Sequence, residues 1–551
     1  MPAFAGFPPA FIFASKRSYV KLFLNRTIDG RTLVVWLSVW FVVLYNAAFF
    51  RHVAQVYPLS WGNCAMVGSI PIILAAVLVV FFTVLSSRHT TKPIMIAFLL
   101  VSSLTAYFMD TYDVIIDANM IRNVLQTNLN EARDLLTLRL AGYFLLLGVL
   151  PSVAVYRLNI EYLPLKARLM RNLKTVTVAL AVISVLIFAF SRFYTSFFRE
   201  HKPLRLYTNP SFYIYSVYKY VHLALEHEEK GLLMIGKDAA IPATDINREL
   251  IILVVGEAAR ADRFSLNGYV RETNPLLKKE DIINFPDFTS CGTDTAVSVP
   301  CMFSSLGRAQ YDGKKARHTE NLLDVLGRAG VNILWRDNNS DSKGVALRAQ
   351  YENFRSPDIN PICEGECRDE GMLAGLQEYI DSRRKGDILI VLHQMGNHGP
   401  AYYKRYPDNF EKFTPACKSN QLENCTREEI SNAYDNAILY TDYFLSKVIG
   451  LLKKNSGHFE TTMFYVSDHG ESLGENGLYL HGLPYYLAPA TQKHVPAIMW
   501  FGKNFVIDKK RLAGRSSQPF SHDNLFHTMI GFMEINSTVY RPEMDILKGL
   551  H

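Results

Sequence analysis

Between residues 32 and 194 the sequence is dominated by apolar runs long enough to cross a bilayer core, which takes about 20 residues of helix. They fall near 32–50, 65–87, 94–112, 138–156 and 174–194. A backbone in lipid must satisfy its own polar groups, so runs of this length predict five transmembrane helices. From about residue 240 the pattern becomes that of a soluble protein, and the mean hydropathy of +0.05 describes neither half. The expected organisation is a membrane domain over 1–194, a linker over 195–240 and a soluble domain over 241–551. The first fifteen residues are apolar but short and interrupted by Pro8 and Pro9, which does not read as a cleaved signal peptide.

Lysine and arginine are unevenly placed around these runs. The N-terminal segment carries Lys16, Arg17, Lys21, Arg26 and Arg31, and the second-to-third loop Arg88 and Lys92. The fourth-to-fifth loop carries Arg157, Lys166, Arg168, Arg171 and Lys174, whereas the alternate loops hold only Arg51, then Arg122, Arg133 and Arg139. Basic loops stay in the cytoplasm, so the N-terminus is expected there and everything after residue 194 outside. The net charge of +7 is largely this loop excess, which argues for membrane topology and against a nucleic-acid partner.

Cys64 stands alone in an apolar run, where a small buried hydrophobe is expected. The other six cysteines form close pairs in the soluble half: Cys291 with Cys301, Cys363 with Cys367, and Cys417 with Cys425. None has the CxxC spacing of a zinc knuckle. Three local disulfides fit better, and they place the domain in an oxidising compartment, in agreement with the charge argument.

Two polar or aromatic stretches complete the membrane half. The segment 113–137 is too polar to span; a helix there puts Asn123, Thr127 and Glu131 on one face, the pattern a solvated face also has. From 193 to 220 the chain is rich in Phe and Tyr. Such rings favour the headgroup layer, although a linker packed on the soluble domain would look the same.

In the soluble half apolar strands at 249–256, 332–336, 387–392, 461–467 and 495–501 alternate with helical stretches such as 319–329 and 428–453. The expectation is an α/β fold, a mostly parallel sheet between helices, with its site beyond the carboxyl ends of the strands. There lie Glu257, His393, His398, Asp468 and His469, with His481 following twelve residues later. Carboxylates and imidazoles of this kind are ligands a catalytic zinc ion accepts. A nucleophile is sought in the hydroxyl-rich segment between Cys291 and Cys301, where Thr293, Thr295 and Ser298 remain open. A rival motif is Gly470-Glu-Ser472-Leu-Gly474, the serine turn of α/β-hydrolases, with Asp508 and His522 or His527 in order behind it. That reading leaves Glu257, His393, His398 and His481 without a role.

The segments VVGEAARADRFSLNGY, SCGTDTAVSVPCMFS, WRDNNSDSKG, HQMGNHGPAYYKRYP and YVSDHGESLGENGLYLHG resemble the lipid A phosphoethanolamine transferases, a family that includes the mobile colistin-resistance enzymes. The resemblance runs over the whole chain. It implies a soluble domain of the alkaline-phosphatase and sulfatase type, at the periplasmic face of a bacterial inner membrane. It implies a zinc site of Glu257, Thr295, Asp468 and His469, with Thr295 as nucleophile. His393, His398 and His481 match histidines that bind substrate phosphate, move protons or hold a second zinc. Ser340 and Lys343 match positions at the phosphoethanolamine group, and Asn123, Thr127 and Glu131 positions at the ethanolamine head. The activity implied is transfer of phosphoethanolamine from phosphatidylethanolamine to phosphates of lipid A through a covalent adduct on threonine, by a monomer that confers resistance to polymyxins. The family's acceptors vary, however: lipid A phosphates, inner-core sugars, other glycans and proteins.

Overall fold

The computed structural model describes residues 27–127, 132–133, 135–161, 163–225 and 231–550, and in it the apolar runs are helices. Cys64–Leu85, Thr91–Tyr112, Leu138–Arg157 and Leu165–Ala189 are each long and apolar enough to span a membrane. The first run is instead a bent pair, Gly30–Leu44 and Ala47–Val56, meeting at 59°. Asn46 sits at the break: its side-chain amide bonds the backbone of Asn209 in both directions, Nδ2 to O at 2.7 Å and N to Oδ1 at 2.8 Å. A buried amide inside an apolar helix needs partners of its own, and the bend supplies them. Pro151 has a similar effect on the fourth span. Without an N–H it cannot bond Leu147 O, which accepts Tyr45 Oη at 2.5 Å, and residues 144–149 widen into a π-helical turn. Cys64 is exposed at the first residue of its helix rather than buried, because the run it was read into begins one residue later.

The chain folds into two compact units, residues 1–117 with 138–217, and residues 118–137 with 218–551. In the first, the aromatic segment packs back on the spans: Tyr194 Oη meets Ser69 Oγ at 2.5 Å and Tyr213 Oη meets Ser102 Oγ at 3.1 Å. The basic segment before residue 27 lies outside the described residues.

The second unit is built on seven strands: β1 (Glu249–Gly256), β2 (Ile282–Phe285), β3 (Asn332–Asp337), β4 (Gln350–Asn353), β5 (Ile388–His393), β6 (Glu460–Ser467) and β7 (Ala497–Phe501). Their order is β2-β7-β6-β1-β5-β3-β4, and β7 alone runs against its neighbours. The central strands are apolar and buried on both faces, as parallel strands covered by helices require. One face is covered by the helix Arg427–Asn455, started by a capping box between Thr426 and Glu429. The opposite face is covered by the helices Leu322–Arg328 and Leu525–Phe532. All five strands read from the sequence are present. β2 and β4, the two edge strands, are additional.

Three disulfides tie down loops of this unit. Cys291 is bridged to Cys301 across the segment that leads into the helix Thr295–Met302. Cys363 is bridged to Cys367, and the two residues also face each other in a two-stranded ribbon. Cys417 is bridged to Cys425, just ahead of the capping box that starts the long helix.

Candidate active site

Strand register decides which residues meet. Val466 is paired with Val255 on one side of β1, and Leu392 with Val254 on the other. The residues that follow the strand ends, Glu257 and Asp468 with His469, therefore emerge side by side. Gly256 permits this crowding: a Cβ there would come within 2.7 Å of the Tyr465 ring. Ala258, next after Glu257, is held in the left-handed region at φ 54°. Its N–H donates to Asp468 Oδ1 at 3.1 Å and its carbonyl accepts Tyr434 Oη at 2.6 Å. Backbone strain of this kind persists only where its surroundings enforce it.

The helix Thr295–Met302 brings the hydroxyl. Asp294 caps it by accepting Val297 N–H, which leaves Thr295 in the first turn with its side chain turned to Glu257 and His469. Thr295 Oγ1 donates to Glu257 Oε2 at 3.0 Å and lies 3.4 Å from His469 Nε2. The other hydroxyls are committed elsewhere: Thr293 Oγ1 donates to Leu483 O at 2.6 Å, and Ser298 Oγ to Asp468 O.

The ligand atoms of Glu257, Asp468 and His469 lie within 4.8 Å of one another, all buried. Among the described residues Glu257 Oε1 and Asp468 Oδ2 have no hydrogen-bond partner. His469 Nδ1 donates to Gly470 O at 2.8 Å, so Nε2 is the nitrogen turned to the acids, 3.2 Å from Glu257 Oε1 and 3.4 Å from Asp468 Oδ2. Two buried carboxylates with orphaned oxygens need a cation. Burial opposes ionisation of His469, but Asp468 and Glu257 outweigh it and push its pKa up to about 10. Burial likewise opposes ionisation of Glu257, and the positive field of His469 outweighs it. Two carboxylate oxygens, an imidazole nitrogen and the Thr295 hydroxyl form a donor set that fits a divalent metal such as zinc.

Outer partners hold this set, and sequence reading missed most of them. Asn339 Nδ2 donates to Glu257 Oε2 at 2.7 Å and to Gln394 O at 2.8 Å. Glu471 Oε2 accepts His481 Nδ1 at 2.6 Å while its Oε1 accepts Tyr402 Oη at 2.6 Å. The His481 ring centre lies 4.3 Å from that of His469 and 5.7 Å from that of His398. Glu257, His398 and His481 form a second group able to hold a metal, and His469, Glu471 and His481 a third. Asp337, at the end of β3, accepts His393 Nδ1 at 2.9 Å and Trp335 Nε1 at 3.0 Å. His393 is fully buried, its Nδ1 tied to Asp337 and its Nε2 without a hydrogen-bond partner among the described residues. The available signal was a run of polar residues, Asp337-Asn338-Asn339, closing an apolar strand.

Ser340 and Lys343 lie on the turn after β3. Lys343 Nζ donates to Ser340 Oγ at 2.7 Å and to Ser340 O at 2.8 Å, with Asp341 and Lys343 itself at positive φ. Asn123 and Thr127 belong to the same unit: the helix Ala118–Gln126 packs on the helix Thr295–Met302, and Met120 lies beside Gly482, next to His481. Thr127 follows the helix end and donates to Asn123 O at 2.7 Å. Glu131 lies outside the described residues. Of the bridged cysteines, Cys291 and Cys301 flank the candidate nucleophile segment, whereas Cys363, Cys367, Cys417 and Cys425 belong to none of the groups able to hold a metal among the described residues.

The hydrolase alternative fails on geometry. Ser472 is buried in a two-residue strand, where its Oγ accepts Gln492 Nε2 at 2.9 Å. His522 accepts Cys291 N–H at 3.0 Å on Nδ1 and donates to Ser467 O at 2.9 Å on Nε2. Asp508 caps a helix by accepting Arg511 N–H. His527, the other candidate, accepts Arg541 N–H at 3.1 Å on Nδ1, and among the described residues none of these groups makes a relay to Ser472.

Two family models match the chain: "Phosphoethanolamine transferase EptA/EptB" over residues 74–225 and "Sulfatase" over residues 249–535. Phosphatidylethanolamine transferase Mcr-1 of Escherichia coli is 43% identical over 94% of this chain and 97% of its own. Phosphoethanolamine transferase EptA of Salmonella typhimurium is 42% identical over 96% and 98%. Among solved structures, the integral membrane lipooligosaccharide phosphoethanolamine transferase A of Neisseria meningitidis superposes with a TM-score of 0.92 at 35% identity. That match covers 96% of this chain and all of the other.

Proposed function

Since this chain belongs to the phosphoethanolamine transferase family, we propose that it moves phosphoethanolamine from phosphatidylethanolamine to phosphate groups of lipid A, through a covalent adduct on Thr295. One observation carries the reading: of the three candidate hydroxyls, only that of Thr295 is bonded to Glu257 within reach of His469.

Glu257, Asp468, His469 and Thr295 would hold one zinc ion, with His398 and His481 available to a second. When bound, zinc supplies positive charge that lowers the pKa of the threonine hydroxyl and offsets charge on the transferring phosphoryl group. The residues of the chain do the rest. Thr295 Oγ1, oriented by its bond to Glu257 Oε2, loses its proton to solvent and attacks the phosphorus. Diacylglycerol leaves, and His398 is the general acid that protonates its oxygen. Glu471 holds His481 by Nδ1, which orients the ring beside His469. Lys343, fixed by Ser340, stabilises the equatorial oxygens. A phosphate of lipid A then attacks the phosphorus of the adduct, the bond to Thr295 Oγ1 breaks and Thr295 takes a proton back from solvent, while the proton released by the acceptor phosphate restores His398.

Asn123, Thr127 and Glu131 are assigned to the ethanolamine head, supported by the packing of the Ala118–Gln126 helix on the nucleophile helix. The catalytic domain is assigned to the periplasm and the spans to the inner membrane. The three disulfides and the basic loops support that placement. The enzyme is read as a monomer. Each transfer adds an amine to the outer surface, which weakens attraction for polymyxins and other cationic peptides. Mass spectrometry of lipid A from cells with and without this protein tests the reading. Added phosphoethanolamine supports it, and unmodified lipid A beside another modified glycan would reassign the acceptor.

A further inference from the structure

Beside the nucleophile helix, within the same compact unit, lies a cavity of about 650 Å³. Ala296 and Pro300 line it, one and five residues on from Thr295. Its charges do not balance. Arg348 is matched by Asp324, and Glu320 by Arg328. That leaves three arginines on the lining, Arg122, Arg317 and Arg355, against one acid, Asp341.

Arg122 and Arg317 are the pair that most needs an explanation. The Arg122 guanidinium lies against Gly313: a Cβ added there would sit 3.8 Å from both Nη1 and Nη2. Arg317 ends the short helix that begins at Gly313. Burial, and after it the charge of Arg122, lower the pKa of Arg317. Among the described residues neither arginine makes a salt bridge. The two guanidinium groups repel each other, and the carboxylate that acts on Arg317, that of Asp312, forms no salt bridge with it and does not offset its burial and the charge of Arg122. An anion that takes both forks converts the repulsion into binding.

We propose that this cavity binds a second anionic group of the acceptor, a sugar phosphate distinct from the phosphate that attacks Thr295, with Arg122 and Arg317 as its clamp. The inference rests on the lipid A reading. Charge separates acceptor from donor. The donor is zwitterionic: its one phosphate must sit at Thr295 to react, so it has none to spare for the arginine pair. An acceptor with two phosphates has one to spare while the other attacks. The cavity wall formed by Ala296 and Pro300 keeps that spare phosphate within one or two helical turns of the nucleophile.

The test uses the full-length enzyme in mixed micelles, with phosphatidylethanolamine as donor and either bisphosphorylated or monophosphorylated lipid A as acceptor. With Arg122→Gln and Arg317→Gln combined, KM for the bisphosphorylated acceptor should rise about tenfold or more, the loss expected of a charge-assisted fork. The preference for two phosphates over one should shrink to near unity. The salt dependence of acceptor KM should flatten, while the donor-only adduct on Thr295 forms at the wild-type rate. Arg122→Lys with Arg317→Lys, which keeps the charge and loses the fork, should fall between. An unchanged acceptor KM in a Gln variant of normal melting temperature overturns the proposal. So does an equal loss in adduct formation, which would assign the cavity to the donor. If the Gln variant is unstable, a wild-type preference for two phosphates in the Lys variant overturns it instead. Wild-type enzyme that forms the adduct but passes nothing to either lipid A refutes the acceptor reading itself, and the wild-type control tells the two failures apart.

Discussion

Thr295 and Thr293 are two residues apart and chemically identical, yet one faces an acid and a histidine, Glu257 and His469, and the other a backbone carbonyl. The sequence alone left both open, with Ser298, because what separates them is the point where the helix begins. Asp294 caps, so the residue after it enters the first turn. Thr295→Ala should therefore lower transfer by about 10⁴-fold or more, as removal of a covalent nucleophile does, with no change in fold. Incubated with phosphatidylethanolamine and no acceptor, the wild-type protein should gain one phosphoethanolamine, mapped by mass spectrometry to the peptide holding Thr295. Ser472→Ala, which removes a hydroxyl that only accepts from Gln492, should leave turnover near wild type; an adduct on Ser472 would refute the mechanism. The acids and histidines were legible as residue types at strand ends, whereas Asn339 was not, since its importance lies in one contact across the site. Its bond to Glu257 orients a proposed zinc ligand. Asn339→Ala should weaken zinc affinity by about 10–100-fold, read by competition with a chelator, and saturating zinc should restore much of the lost activity. Full activity of the wild-type enzyme after exhaustive chelation would sink the metal assignment altogether.

At the level of elements, the strands that sequence predicted are the buried ones. β1, β5 and β6 are unbroken apolar runs because helices cover both faces. β2 and β4 escaped notice because they are four-residue edge strands, and β4 reads Gln-Tyr-Glu-Asn. The first membrane helix ran through its bend unseen, since one asparagine in an apolar stretch does not announce a break until its partner, Asn209, is in place. His522 shows how an element can depend on one protonation state. Its ring joins the loop at Cys291 to the end of β6, and burial lowers its pKa to about 4. An unfolded histidine takes up a proton near pH 6.5. Between these values the unfolded chain binds more protons than the folded one, so stability is present above pH 6.5 and is lost as pH falls towards 4. The loss at pH 5 relative to pH 7 should be about 2 kcal/mol. His522→Asn, which keeps an acceptor for Cys291 N–H but does not titrate here, should remove that part of the acid sensitivity in thermal melts taken at both pH values. An identical pH dependence in the variant would refute the assignment.

Across the whole molecule, the five apolar runs and the change of pattern near residue 240 made the two-part architecture readable. The place of residues 118–137 was not readable: a polar segment between two spans groups with the catalytic unit instead of the helices that flank it in sequence. Sequence order favours the neighbours, but the contact that decides is with the helix carrying Thr295. This division sets the last prediction. A fragment beginning near residue 240 contains the whole sheet, all three disulfides and every proposed zinc ligand. It should fold and bind zinc. It lacks the spans and the Ala118–Gln126 helix, which would hold a membrane phospholipid against Thr295. Removing them costs positioning rather than chemistry, and positioning is worth several orders of magnitude when a bimolecular encounter replaces a held one. On phosphatidylethanolamine in bilayers the fragment should be slower than the full chain by about 10²-fold or more, while on a water-soluble phosphoethanolamine ester the two should be close. Rates measured side by side on both donors decide the matter. Equal rates on the bilayer donor would mean that the membrane half anchors the enzyme and does nothing to present its substrate.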